Sequence, residues 1–177
     1  MIHSYTIALL MCSGGVRVFV DAVDPEIVER EPAFVEAVFA TLNDDRGWGR
    51  AGVSFCPADI ADADIRVSLA LPSSVDLLCA PIETNGQVSC ALDGHAVINL
   101  ERWDHATPAW SALQSYRHYV INHEVGHLLG MGHAKRCTSS GKAPLMMQQS
   151  RRRLRCEPNP WPTFHETNSV ASSTEDR

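Results

Sequence analysis

Residues 123–133 read H-E-V-G-H-L-L-G-M-G-H. This stretch limits the fold most tightly, because three histidines at this spacing have to meet at one point. On a helix, residues four apart lie one turn apart on the same face, so His123 and His127 aim one imidazole each at a common centre. Glu124 stands beside that face, within reach of a water at the centre but out of line with the ligands. Gly130 and Gly132 are expected to take backbone conformations that end the helix and turn the chain back, so that His133 arrives from another direction. Three neutral nitrogens leave a fourth tetrahedral position open for water, which marks a catalytic zinc site; structural sites fill all four positions and often use cysteine. The plainer alternative is a helix with two surface histidines and a glycine cap.

The chain has 177 residues, 45% hydrophobic and 20% charged, enough for one real core and most simply one domain. We place that domain at residues 16–162. Residues 1–15 read as a leader or signal remnant, and the stretch Leu9-Leu10-Met11-Cys12 resembles a lipoprotein cleavage box in which Cys12 would be acylated. An ordinary buried first strand is the alternative. From residue 158 the composition turns to Pro, Ser and Thr, and 163–177 read as a disordered tail. A formal charge of −6 argues against a nucleic-acid partner. The local exception, Arg151-Arg152-Arg153-Leu154-Arg155, reads either as a solvated surface or as a contact for an anionic partner. No apolar run approaches the roughly 20 residues needed to cross a membrane, and a monomer is the expected state.

Six cysteines are more than a reducing cytosol favours in a chain of this size. Disulfides, and hence a secreted or cell-envelope location, are expected, since no C-x-x-C spacing suggests metal ligation. Cys79 and Cys90 bracket a tight-turn signal at Asn85-Gly86. A two-residue turn there would set Cys90 opposite Pro81, so the pair needs a longer loop or a bulge. Cys137 and Cys156 bracket the segment after the third histidine. Cys12 and Cys56 remain, either free or paired with each other.

Alternation at 16–21 predicts a strand, and residues 24–42 predict a helical stretch that Pro32 divides or kinks. Strands follow at 53–55, 65–70 and 96–100. The histidines sit on a predicted helix over 111–129, with Leu113, Tyr116 and Val120 as core contacts. This order implies an α+β (α/β-like) domain: a mixed twisted sheet, an N-terminal helix and a zinc-binding active-site helix. His95, His105, His118 and His165 have no partner at ligand spacing and read as surface or satisfied histidines.

The 123–133 motif resembles the extended zinc signature of the metzincin metallopeptidases. Metzincins also carry a methionine turn downstream, and Pro144-Leu145-Met146-Met147-Gln148-Gln149 is placed to be one. Met146 is the matching methionine, an apolar thioether floor beneath the imidazoles, with Met147 the second choice. A wider resemblance covers residues 16–162. It rests on Arg46-Gly47-Trp48, Val53-Ser54-Phe55, Leu78-Cys79-Ala80-Pro81, Val88-Ser89-Cys90, Val97-Ile98-Asn99-Leu100-Glu101-Arg102-Trp103, Tyr116-Arg117-His118-Tyr119-Val120-Ile121-Asn122 and Glu157-Pro158-Asn159-Pro160-Trp161-Pro162. These segments are similar to an uncharacterised family of secreted bacterial proteins with the metzincin motif, which has cysteines at the positions of Cys79, Cys90, Cys137 and Cys156. Two departures from better-known metzincins stand out. Ala134 follows the third histidine and matches none of their subfamilies. Gln148 and Gln149 stand where some subfamilies have a tyrosine.

The resemblance implies a zinc-dependent endopeptidase acting on peptide or protein substrates. His123, His127 and His133 would hold Zn2+, Glu124 would act as general base, and residues 96–100 would pair with an extended substrate as an edge strand. A Cys137–Cys156 bridge would restrain the loop carrying Met146. Two other readings stay open. One is a catalytically silent zinc-bearing binding module, against which the intact Glu124 argues; the other is a zinc amidase acting on a cell-wall amide.

Overall fold

The computed structural model describes residues 14–150 and 156–175. Cys12 with nearly all of the leader, and the arginine run at 151–155, lie outside these residues. Five strands form one sheet: β1 (Val16–Ala22), β2 (Phe55–Pro57), β3 (Ile65–Ala70), β4 (Cys90–Leu92) and β5 (His95–Asn99). Their order is β2-β1-β3-β5-β4. The first four pair in parallel and β4 runs antiparallel to β5, so the sheet is mixed, as expected.

Around it lie α1 (Glu31–Leu42), α2 (Pro72–Leu78), α3 (Leu100–His105), α4 (Leu113–Leu128) and α5 (Phe164–Glu175). Strand periodicity sorts the two faces. Val67, Leu69, Ala96 and Ile98 point into the main core beneath α1 and α4, whereas Ala70 and Val97 point the other way and pack with Val75 of α2. The stretch 24–42 is two pieces, a 3-10 helix (Pro25–Arg30) followed by α1, with a proline in the first turn of each. Along α1, Phe34, Val38 and Leu42 recur at a four-residue spacing and are buried. Burying each contributes about 1.5–3 kcal/mol.

Three expectations need correction. Residues 96–100 are not an edge: β5 lies between β3 and β4, and the edge strand on that side is β4. The tail at 163–177 is not disordered through its length, because Phe164–Glu175 forms α5. Composition misleads here, since α5 is fixed by few but deeply placed groups: Val170 joins the main core, and Glu166 and Thr167 are buried. Leu113 is 36% exposed and is no core contact, while Tyr116 and Val120 are fully buried.

The Asn85-Gly86 turn forms, with the Gln87 amide donating to the Thr84 carbonyl at 3.0 Å and φ of 52° and 60° at its centre. Its arms are not paired strands, because α2 occupies the residues before Cys79. The longer loop lets Cys79 and Cys90 form a disulfide, and Cys137 and Cys156 form another. Cys56 is disulfide-bonded as well.

Candidate metal centre

Helix α4 carries Tyr119, His123, Glu124 and His127, and its end is built to return the chain. Gly130 takes φ +90°, the Gly130 amide donates to the His127 carbonyl and the Met131 amide to the Gly126 carbonyl, both at 3.0 Å. This pair of bonds is a Schellman cap, which favours glycine at the left-handed position. Gly132, expected to share that task, is not in the left-handed region.

The cap does more than end the helix. The carbonyl of Met131 faces Nδ1 of His127 at 2.8 Å, and the carbonyl of Leu145 faces Nδ1 of His123 at 2.8 Å. A carbonyl only accepts, so both rings donate Nδ1–H and keep the Nε2 lone pair free. Nε2 of His127 lies 3.1 Å from Nε2 of His133. One ligand nitrogen from each of the three histidines falls within 4.8 Å of the other two. Two imidazoles with tautomers fixed by carbonyls, and one nitrogen from each of three histidines drawn together, make a donor set that suits zinc.

Burial sets the electrostatics. It pushes the His123 imidazole down to about 3, helped by His127 and His133 and opposed by the Leu145 carbonyl. It also lowers His127, against the pull of the Met131 carbonyl. Glu124 is 6% exposed, and burial raises its carboxyl to about 8. Burial thus favours the protonated acid at Glu124 and the neutral imidazole at His123 and His127.

Beneath α4, Met146 and Trp48 are fully buried. A Cβ on Gly126 would lie 2.5 Å from Met146 Sδ and 2.8 Å from Trp48 Cζ2, so this glycine in H-E-V-G-H is what admits both side chains. Met147 belongs to a separate small cluster with Ala143 and Cys156. Tyr119, one turn before His123, donates its hydroxyl to the Met147 carbonyl at 3.1 Å and accepts the Gln149 amide at 2.8 Å. From the far side, Glu166 of α5 accepts the amides of Leu145 and Met146. The turn at 144–149 is thus held by α4 on one side and α5 on the other.

Tyr119 and Glu166 are absent from the sequence-based set. Tyr119 shares the face of His123 at i−4, a signal that was available. Glu166 ends Thr163-Phe164-His165-Glu166, a capping-box pattern hidden in polar composition. Three further histidines are engaged elsewhere: His95 bonds Ser68, His118 bonds Thr41, and His105 faces Glu101.

A cleft of about 350 Å³ opens over the site. His123, Glu124, His127 and His133 line one part of it, Tyr119, Gln148 and Ser150 another, and Ile82, Val88, Cys90 and Ala91 the wall formed by β4 and the segment before it. Among the described residues, no helix is long and apolar enough to cross a membrane.

Residues 16–157 match the model of the family DUF3152, described as a protein of unknown function. No curated protein matches. Among solved structures, the chain is similar to archaemetzincin from Methanopyrus kandleri, at a TM-score of 0.54 and 15% identity, covering 93% of this chain and 99% of that one. At that identity the likeness is one of fold, and it agrees with the metzincin-like architecture expected from the motif.

Proposed function

The chain belongs to the DUF3152 family, and we propose that it is a zinc-dependent endopeptidase. One observation carries the reading: one nitrogen from each of three imidazoles is drawn together, two of the rings are held at Nδ1 by carbonyls, and a buried carboxyl stands beside them in an open cleft. His123, His127 and His133 would hold the ion. When bound, zinc supplies Lewis acidity, lowering the pKa of a ligated water towards ~7 and offsetting negative charge that develops on the scissile carbonyl.

The protein's own residues do the rest. Glu124 accepts the proton of the attacking water and returns it to the leaving amine. Its burial raises proton affinity, a nearby dication lowers it, and the balance suits a group that takes and gives back a proton near neutral pH. Among the described residues β4 is the edge strand beside the cleft, and an extended peptide adds to its outer side as a further strand. Ile82 and Val88 give that side an apolar wall for substrate side chains. Met146 is the apolar floor of the site, and the Cys137–Cys156 disulfide restrains the loop that carries it. Disulfides are also the basis for proposing export from the cytosol.

The test is zinc analysis of the purified protein together with cleavage of a broad peptide mixture, wild type beside Glu124→Ala. Peptide cleavage that depends on zinc and vanishes in the variant is the expected result. A protein that retains zinc yet cleaves nothing, with wild type and variant alike, would remove the peptidase reading and favour the binding module.

A further inference from the structure

Within that zinc reading, we propose that Glu166 is a positioning residue for the metal ligand His123, acting through a single peptide unit. The unit is the bond between Leu145 and Met146. Its carbonyl accepts Nδ1–H of His123 at 2.8 Å, and its N–H donates to Glu166 Oε1 at 2.8 Å. The order is therefore carboxylate, amide, imidazole, metal position. A carboxylate at the N–H end of an amide draws that hydrogen and drives electron density towards the carbonyl oxygen, because hydrogen bonds in a chain polarise one another. A better carbonyl acceptor orients the imidazole and makes its other nitrogen a stronger donor, which is how groups behind a ligand raise metal affinity.

Two observations separate this from plain helix capping. A capping box needs an acceptor on its third residue, and glutamine serves as well as glutamate. Here the acceptor is a carboxylate that is 4% exposed and, among the described residues, makes no ion pair. Burying an anion without a cation is costly, and it is tolerated when several donors converge on it. Four do: besides Met146, the Leu145 amide at 3.1 Å, the Thr163 amide at 2.8 Å and the Thr163 hydroxyl at 2.7 Å reach Oε2. The second observation is direction. Two of those donors belong to the turn that holds His123, and not to the helix being capped.

The experiment compares wild type, Glu166→Gln, Glu166→Asp and Thr163→Val as full chains. Zinc affinity is read by competition with a chelator, and the site by cobalt(II) absorption. Thermal melts of the metal-free proteins report the fold. Glu166→Gln keeps the shape but loses the charge, and is expected to weaken zinc by about 10- to 100-fold and to shift the cobalt bands. Thr163→Val, which removes the capping hydroxyl and leaves the carboxylate on the turn, is expected to lower the melting temperature while leaving zinc affinity within about threefold. Glu166→Asp keeps the charge at shorter reach and should fall between wild type and Glu166→Gln; it carries the test if the glutamine variant does not fold.

Wild-type affinity in Glu166→Gln, or in Glu166→Asp where that variant stands in, overturns the proposal. So does an equal loss of zinc in Thr163→Val and Glu166→Gln, which would reduce Glu166 to a helix cap. A wild-type protein that takes up no zinc removes the parent reading as well, and the wild-type measurement shows which of the two has failed.

Discussion

Replacing Gly126 with alanine perturbs the centre without touching a ligand. In an exposed helix interior the change stabilises by about 1 kcal/mol, because glycine is the poorer helix former. At position 126 the new methyl would lie 2.5 Å from Met146 Sδ, 3.3 Å from Met146 Cε and 2.8 Å from Trp48 Cζ2. Neither neighbour has room to retreat. Both are fully buried, and the Trp48 indole is tied by Nε1 to the Asn122 carbonyl at 3.1 Å. Overpacking of this kind costs about 1–3 kcal/mol. Set against the helix gain, Gly126→Ala is expected to be destabilised by roughly 0–2 kcal/mol in denaturant unfolding. A second readout follows from connectivity: a displaced Met146 drags the Leu145 carbonyl, so zinc should bind about 10- to 100-fold more weakly. In a Met146→Ala background the same substitution should cost less, since the methyl then has space. A Gly126→Ala protein about 1 kcal/mol more stable than wild type, with unchanged zinc affinity, would refute the packing argument.

Three further outcomes are expected. Glu124→Gln should retain zinc and lose peptide cleavage by about 10²- to 10⁴-fold; full activity would exclude Glu124 as the base. Replacing Cys137 and Cys156 together with alanine should lower unfolding free energy by about 3 kcal/mol, read from denaturant curves, because the bridge closes a loop with a sequence separation of 19. Metal-free protein should also be most stable near pH 6.5, the unperturbed histidine value. His123, held down at about 3 in the fold, contributes stability that is lost as pH falls below its unfolded value near 6.5. Glu124, held up at about 8, contributes stability present below about 4.5 and lost as pH rises through 8. Between the two unfolded values these two contributions cancel, while His127, which burial also lowers, makes stability fall as pH falls; above about 6.5 the Glu124 contribution is lost at about 1.4 kcal/mol per pH unit. Melts in the presence of a chelator check this; Glu124→Gln should flatten the alkaline side, and a wild type already flat there would contradict the burial argument.

The centre was legible in the sequence because its residues are local. Four of the five positions that matter most, His123, Glu124, Gly126 and His127, lie on one helix, where spacing alone dictates which side chains meet. The mixed sheet was legible for a similar reason, since strands such as 65–70 alternate visibly. Sheet order was not. That β4 and not β5 lies at the edge follows from a three-residue strand folding back antiparallel, which no periodicity reveals at that length. Glu166 was hidden because α5 is polar in composition. Its order depends on hydrogen bonds to a turn distant in sequence, and composition reports only how much apolar surface a segment can bury.

The cap that ends α4 ties two processes into one. The Met131 carbonyl is fixed only while the last helical turn is closed, and that same carbonyl sets the tautomer of His127. Fraying of the turn and release of the ligand are therefore a single opening event, and whatever occupies the centre holds the helix end shut. Hydrogen exchange at the Gly130 and Met131 amides should slow with added zinc, so two backbone protons serve as a gauge of site occupancy.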